Sequence, residues 1–217
     1  MTILCQIINT GNLIIPGPPV TFNIHVYGKP QISPGHESYS IPSLEAKFDI
    51  TIPDITLDSS EKDDDLSAWV KHTAQDLLDD VKHTLNWHCA VCFELAKEEV
   101  VFIDRSNYPD VNVMVYLVCN ATSEECQAVA QLMSSVYEGN TIKFTRPHTE
   151  RHILVASCAG CKDVATAVLD LKRCTGCMLI RYCGTNCQLQ DWARHKKSCK
   201  ALTEKRWNPF PAPSLGE

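Results

Sequence analysis

The sequence predicts an α+β protein in which a mixed β-rich and helical body precedes a small, metal-held C-terminal module. Three observations predict it. Two short segments alternate apolar and polar residues with the period of a strand, a third carries its apolar residues on one helical face, and twelve cysteines and eight histidines are crowded into 217 residues. A content of 44% hydrophobic and 21% charged residues is that of a folded chain, long enough for one domain and an added module.

Residues 1–65 read as a β-rich region ending in an acidic linker. Val20, Phe22, Ile24 and Val26 alternate with Thr21, Asn23, His25 and Tyr27, and Phe48, Ile50 and Ile52 repeat the pattern beyond a turn-rich stretch with Pro30, Pro34, Gly35 and Pro42. The acids Asp54, Asp58, Glu61, Asp63, Asp64 and Asp65 suit the positive end of a helix; they lack the alternate spacing, central glycine and closing glutamate of a calcium loop. Residues 66–150 read as an α+β region. Leu66, Trp69, Val70, Leu77, Leu78, Val81 and Leu85 share a helical face. Residues 99–103 and 111–119 are β-branched runs separated by Ser106, Asn107 and Pro109, as in a hairpin. A second helix over 122–139 is expected from the capping-box spacing of Thr122 and Glu125, an apolar stripe of Val129, Met133, Val136 and Tyr137, and a terminating Gly139.

The apolar patches of the first thirty residues lack a basic leader and a cleavage site, so no secretory signal is expected. No apolar run approaches the roughly 20 residues of a membrane span. The expected location is the cytosol or the nucleus, where thiols stay reduced and clustered cysteines favour metal over disulfide. The net charge is −6. Residues 158–207 carry 10 Lys/Arg against 4 Asp/Glu, which falls to about +3 once seven thiolates and two zinc ions are counted. That excess is too small to point to nucleic acid.

The decisive pattern is Cys158-x2-Cys161-x12-Cys174-x2-Cys177-x5-Cys183-x3-Cys187-x7-His195-x3-Cys199. Eight sulfur or imidazole ligands in four close pairs make two tetrahedral zinc sites, because both side chains of a tight knuckle or a helical turn reach one ion. His195 and Cys199 stand at i, i+4 and project from one helix face. Each tetrahedron is filled by protein, leaving no position for a reactive water, so these zincs are read as structural.

The run Arg181-Tyr-Cys-Gly-Thr-Asn-Cys-Gln-Leu-Gln-Asp-Trp-Ala-Arg-His-Lys-Lys-Ser-Cys199 resembles the second half of the MYND zinc finger, as known from fungal MYND-finger proteins among others. The resemblance covers about a fifth of the chain, and its spacing of twelve between the first two pairs is long for the family. It implies a cross-brace: Cys158, Cys161, Cys183 and Cys187 share one zinc, and Cys174, Cys177, His195 and Cys199 share the other. It also implies a shallow groove for proline-containing peptides of protein partners, with Gln188 and Trp192 at the contact positions. An indole stacking on proline and an amide bonding an extended backbone are physically suited to that task. Trp192 reads equally well as a cover over a zinc site, and Gln188 as an exposed helix residue.

A possible third zinc is formed by Cys89, Cys92, Cys119 and Cys126, where a knuckle, a hairpin end and a helix start converge in a treble-clef-like way. The alternative pairs Cys89 and Cys92 with His83 or His88 and leaves Cys119 and Cys126 as small buried residues. Cys5 reads as core, and His25, His36, His72, His148 and His152 show no ligand spacing.

The leading function is a zinc-binding adaptor for protein–protein interaction in transcriptional or signalling regulation, without catalytic residues. A RING-like ubiquitin ligase module competes, although its central Cys-x-His pair is absent and the one histidine here is seventh of eight. A part in lysine methylation also competes, since MYND fingers accompany SET domains, but residues 1–157 show no matching motif. Neither a phosphate-binding glycine loop nor a nucleophile elbow is present. Residues 200–217 read as a proline-rich C-terminal tail, in which Trp207-Asn-Pro-Phe-Pro-Ala-Pro-Ser-Leu is expected to be disordered or draped over the surface, with its own groove as one resting place. A finger of this size cannot stabilise itself by apolar burial. Stripped of metal by a strong chelator, residues 158–199 of the chain are therefore expected to unfold, read as loss of their dispersed amide NMR signals.

Overall fold

The alternation in residues 20–26 becomes β1 (Pro19–Tyr27), whose Val20, Phe22, Ile24 and Val26 are fully buried while the intervening side chains are half exposed. In this computed structural model the described residues are 19–29, 43–52, 62–126, 128, 141–146 and 156–208. β2 (Leu44–Thr51) pairs antiparallel with β1. The apolar helical face becomes α1 (Lys62–Lys82), which ends before Leu85: Thr84 turns its hydroxyl back to the Val81 carbonyl and closes the helix. The hairpin expected after it is β3 (Glu98–Asp104) and β4 (Asp110–Val118). β5 (Thr141–Arg146) adds to β3.

The strands lie in one six-stranded sheet of order β5-β3-β4-β1-β2-β8, the last being Leu202–Trp207. β1 and β4 pair in parallel at its centre and the other pairs are antiparallel. One face packs on Val70, Ala74, Leu77, Leu78 and Val81 of α1. The opposite face of β3 and β4 buries Val100, Phe102, Met114, Tyr116 and Val118 against Cys89 and Cys126. Burial on both faces is why β3 and β4 read as continuous apolar runs instead of alternating ones.

Two expectations are corrected. The segment read as the start of the tail is a strand of the sheet: β8 pairs antiparallel with β2, Arg206 meets Glu45 at 2.8 Å, and Trp207 stacks on the buried Trp87 at 6.2 Å. Its sequence, with four exposed residues in a row, lacks the alternation of a half-buried strand because an edge strand carries charges along its open side. The proline-rich residues 209–217 lie outside the described residues. The helix cap expected at Thr122 falls one residue later, where Ser123 Oγ accepts the Cys126 amide while Asn120 holds Thr122. The rest of that helix also lies outside the described residues. The sheet draws strands from the regions read as 1–65, 66–150 and 200–217, so it joins those segments in one core.

Among the described residues no helix is long and apolar enough to cross a membrane. The Trp87 indole also donates to Thr84 Oγ1 at 3.0 Å, so Trp207, Trp87 and the end of α1 form one stack. Trp207→Ala removes half of that stack and loosens β8. It is expected to lower stability by about 1–3 kcal/mol, read as a lower denaturant midpoint at unchanged slope in the zinc-loaded chain.

Candidate metal centres

Phe93, Lys162 and Met178 are the described non-glycine residues with positive φ, at 68°, 55° and 57°. Each directly follows the second cysteine of a Cys-x2-Cys pair, Cys92, Cys161 or Cys177. A left-handed backbone costs such residues on the order of 1–2 kcal/mol, so it persists only where the surroundings impose it. Here the imposition is a knuckle. Lys162 N donates to Cys158 O at 2.9 Å and Met178 N to Cys174 O at 2.8 Å, and the turn aims both sulfurs of each pair to one side. Amides bond the sulfurs as well: Leu179 N lies 3.5 Å from Cys177 Sγ, and Val91 N lies 3.4 Å from Cys89 Sγ.

The knuckles are completed by residues distant in sequence. Within each of three groups the ligand atoms lie within 4.8 Å of one another: Cys158, Cys161, Cys183 and Cys187; Cys174, Cys177, His195 and Cys199; and Cys89, Cys92, Cys119 and Cys126. The first and third pairs of the C-terminal motif thus come together, as do the second and fourth. In the third group Cys126 supplies the fourth sulfur. His83 is outside this group; its Nδ1 bonds the Ser157 carbonyl at 2.8 Å, and burial holds its pKa down at about 3. His88 is outside the group; its backbone bridges Lys29 and Leu95.

These spacings fit zinc. A tetrahedron with Zn–S bonds of about 2.3 Å has sulfur–sulfur edges of about 3.8 Å. The observed separations are 3.3 Å for Cys183 and Cys187, 4.0 Å for Cys161 and Cys183, and 3.2, 3.5 and 3.7 Å in the third group. The described cysteines are all free of disulfides. Crowding also shows in their acidities. Burial pushes Cys89 up to about 11, burial with the neighbouring Cys177 and Cys174 pushes Cys199 up to about 12, and the bond to Cys187 raises Cys183 to about 12. A divalent cation reverses that repulsion, and the metal these residues would hold is structural zinc, two ions in the C-terminal motif and a third at Cys89. Three ligands go the other way: burial opposes their ionisation, yet bonds from His195 and from the Leu179 and Ile180 amides bring Cys177 down to about 7, the Cys183, Cys161 and Gly160 amides lower Cys158, and the Glu94 amide with the neighbouring thiols lowers Cys92.

The two C-terminal centres differ in surroundings. Cys161 and Cys183 of the first are exposed. The second is enclosed: Cys174, Cys177 and His195 are buried, and the His195 Nε2 faces Cys177 Sγ at 3.6 Å. α2 (Thr185–Ala201) supplies Cys187 to the first centre and His195 and Cys199 to the second. The long spacing between the first two pairs is taken up by a 3₁₀ turn, Val164–Val168, capped by the Asp163 carboxylate accepting from Ala165 N at 2.9 Å. A two-residue ladder, β6 (Lys172–Arg173) with β7 (Arg181–Tyr182), closes the motif. Of the two expected contact residues on α2, Trp192 is 40% exposed with its ring edge toward His195 at 5.9 Å, and Gln188 is half-buried one turn earlier. Trp192 therefore both borders the second centre and reaches solvent.

Sequence reasoning missed three residues. Asp80 on α1 bonds His195, Arg181 reaches from β7 to the His83 and Ala156 carbonyls, and Gly160 lets the first knuckle touch α2. The first two act across more than twenty intervening residues, so no local signal marks them. Gly160 had one, its place inside Cys158-Ala-Gly-Cys161. A Cβ there would sit 2.6 Å from both Cβ and the carbonyl oxygen of Cys187, whereas one at Gly184 meets nothing within 4 Å. Gly160→Ala is expected to leave the chain one zinc short by native mass spectrometry, and Gly184→Ala to keep the full count.

Against known proteins, the MYND finger family model matches residues 158–199. Histone-lysine N-methyltransferase ASHR1 of Arabidopsis thaliana is 42% identical over 48 residues, covering 21% of this chain and 10% of that protein. SET domain-containing protein 14 of Caenorhabditis elegans is 40% identical over 42 residues, 19% of this chain and 10% of that protein. SET domain and MYND-type zinc finger protein 6 of Schizosaccharomyces pombe is 36% identical over 55 residues, 25% of this chain and 11% of that protein. The chain thus spans only about a tenth of the length of these relatives. No solved structure matches it. Spacing, paired sulfur geometry and family model agree on one conclusion, that residues 158–199 are a zinc finger of the MYND type.

Proposed function

We propose that this chain is a non-catalytic adaptor of the cytosol or nucleus whose MYND finger binds proline-containing segments of partner proteins. The observation that carries this reading is the side chain of Trp192, a large aromatic 40% exposed on a helix otherwise committed to holding metal. One turn away, Leu189 is 66% exposed, and Gln188 offers an amide beside them. An apolar surface with one amide suits a proline ring and the carbonyl next to it. The zincs are read as a cross-brace pair, and the Cys89 centre as treble-clef-like. Filled four-ligand shells support a structural role for all three, and neither nucleic acid nor membrane is invoked as a partner.

A second reading has a specific observation behind it. The relatives matched over the finger include a histone-lysine N-methyltransferase and proteins named for SET domains. On that reading the chain serves lysine methylation as an accessory, presenting a partner through the same helix. The RING-like alternative has less support, because the finger's match is to the MYND family model.

Binding of a proline-rich peptide array to the zinc-loaded chain tests the leading proposal. Trp192→Ala is expected to weaken the best peptide at least tenfold, and Gln188→Ala several-fold, with zinc content unchanged in both. Unaltered affinity in Trp192→Ala would remove this helix face from the account. Methyl transfer from S-adenosylmethionine to histone substrates is expected to be absent for the chain alone.

A further inference from the structure

Outside the three ligand groups, one cluster of buried charge touches a metal ligand. Asp80 lies on α1 with its side chain 2% exposed, 115 positions from His195 in the sequence. Its Oδ2 accepts the His195 Nδ1–H at 2.8 Å and the Ser198 hydroxyl, and its Oδ1 meets Arg194 Nη1 at 2.6 Å. Arg194 is held in turn by Asp191, at 2.6 Å. The His195 side chain is 1% exposed, and its other nitrogen, Nε2, points at the sulfurs of the second centre. Three side chains of one helix, Arg194, His195 and Ser198, thus converge on a single carboxylate supplied by another.

We infer that Asp80 is an outer-shell positioning residue of the second zinc, making α1 of the body a working part of the finger's metal centre. The carboxylate fixes imidazole as the Nδ1–H tautomer, which leaves the Nε2 lone pair directed at the metal. It also raises the basicity of that nitrogen and locks the ring plane. A carboxylate behind a ligating histidine commonly contributes a factor of about 10–100 in metal affinity. Asn at this position is nearly isosteric and keeps an acceptor oxygen, yet loses the charge. The finger's hold on its second zinc therefore depends on a residue that the 158–199 segment does not contain.

The test uses the full chain, with zinc release to a competing chelator and the d–d spectrum of the cobalt-substituted protein as readouts. Asp80→Asn is expected to weaken one zinc about 10–100-fold and to shift the cobalt bands of the second centre. Asp191→Asn, which disturbs Arg194 and the Tyr182 hydroxyl without touching the imidazole, is expected to change release less than threefold. The discriminating background is His195→Cys, whose thiolate has no N–H for Asp80 to orient: there Asp80→Asn should lose its effect. Should Asp80→Asn alone fail to fold while the double variant folds and loads zinc, the imidazole route is likewise supported. Parental release and spectrum in Asp80→Asn would overturn the inference. So would an undiminished effect, or continued failure to fold, in the His195→Cys background.

Discussion

Sulfurs held 3.2 to 4.0 Å apart, as in the two all-cysteine groups, are too distant to be disulfides and too close to be thiolates without a cation. That constraint organises the protein. Zinc between them converts repulsion into bonds and fixes the separations that the three knuckles present. Each knuckle accepts a left-handed residue to aim its sulfurs, and each closes only when a segment from elsewhere brings the remaining ligands. A metal site of this kind is a long-range contact, and its binding energy is folding energy for both segments it joins.

The finger and the body share more than a linker. Cys158, Ala159, Leu171, Cys174, Cys177, Leu179, Ile180 and Tyr182 belong to the same apolar cluster as the first face of the sheet. Arg181 adds a polar seam: its amide and Nε reach the His83 carbonyl at 3.1 and 3.3 Å, and its Nη2 reaches Asn86 at 2.9 Å and the Ala156 carbonyl at 3.2 Å. Burial lowers its pKa to about 10, still well above neutrality, so it serves as a cation satisfied largely by carbonyl oxygens. Lys205 of β8 bonds the Cys177 carbonyl, and Arg173 stacks over Trp207 at 5.3 Å. A module whose sequence looks separable is therefore built into the sheet it follows.

What the sequence disclosed and what it hid divide along the same line. Cysteine spacing is local, so the four close pairs of the C-terminal motif and the Cys89–Cys92 knuckle were legible, as were the alternation of β1, the face of α1 and the β3–β4 hairpin, whereas Cys119 and Cys126 stood only as one of two possible completions of the third group. Asp80 was not, because an aspartate near the end of a helix looks like any solvated acid until the fold puts α2 against it. β8 was hidden for a different reason. Its charged open side resembles tail, and the prolines after Trp207 strengthen that impression, whereas its strand identity comes from pairing with β2 and from Trp87 beneath Trp207. The capping residue moved by one position because Asn120 also competes for the turn, holding Thr122 through both its amide and its hydroxyl.

The placement of α2 bears on how a surface this small could recognise a partner. Near its start Cys187 is tied to the first metal centre, in its middle His195 is tied to the second and to α1, and at its end the chain passes without a loop into β8. Trp192 lies between the first two anchors. A helix fixed at three points has little freedom left to lose when a peptide binds, so the modest contact area of an indole and an amide need not offset the cost of ordering them. On the proposed function the body would act on recognition without touching the peptide, since it supplies the carboxylate behind His195, the strand beside β8 and the core beneath both, and so holds the helix that carries Trp192.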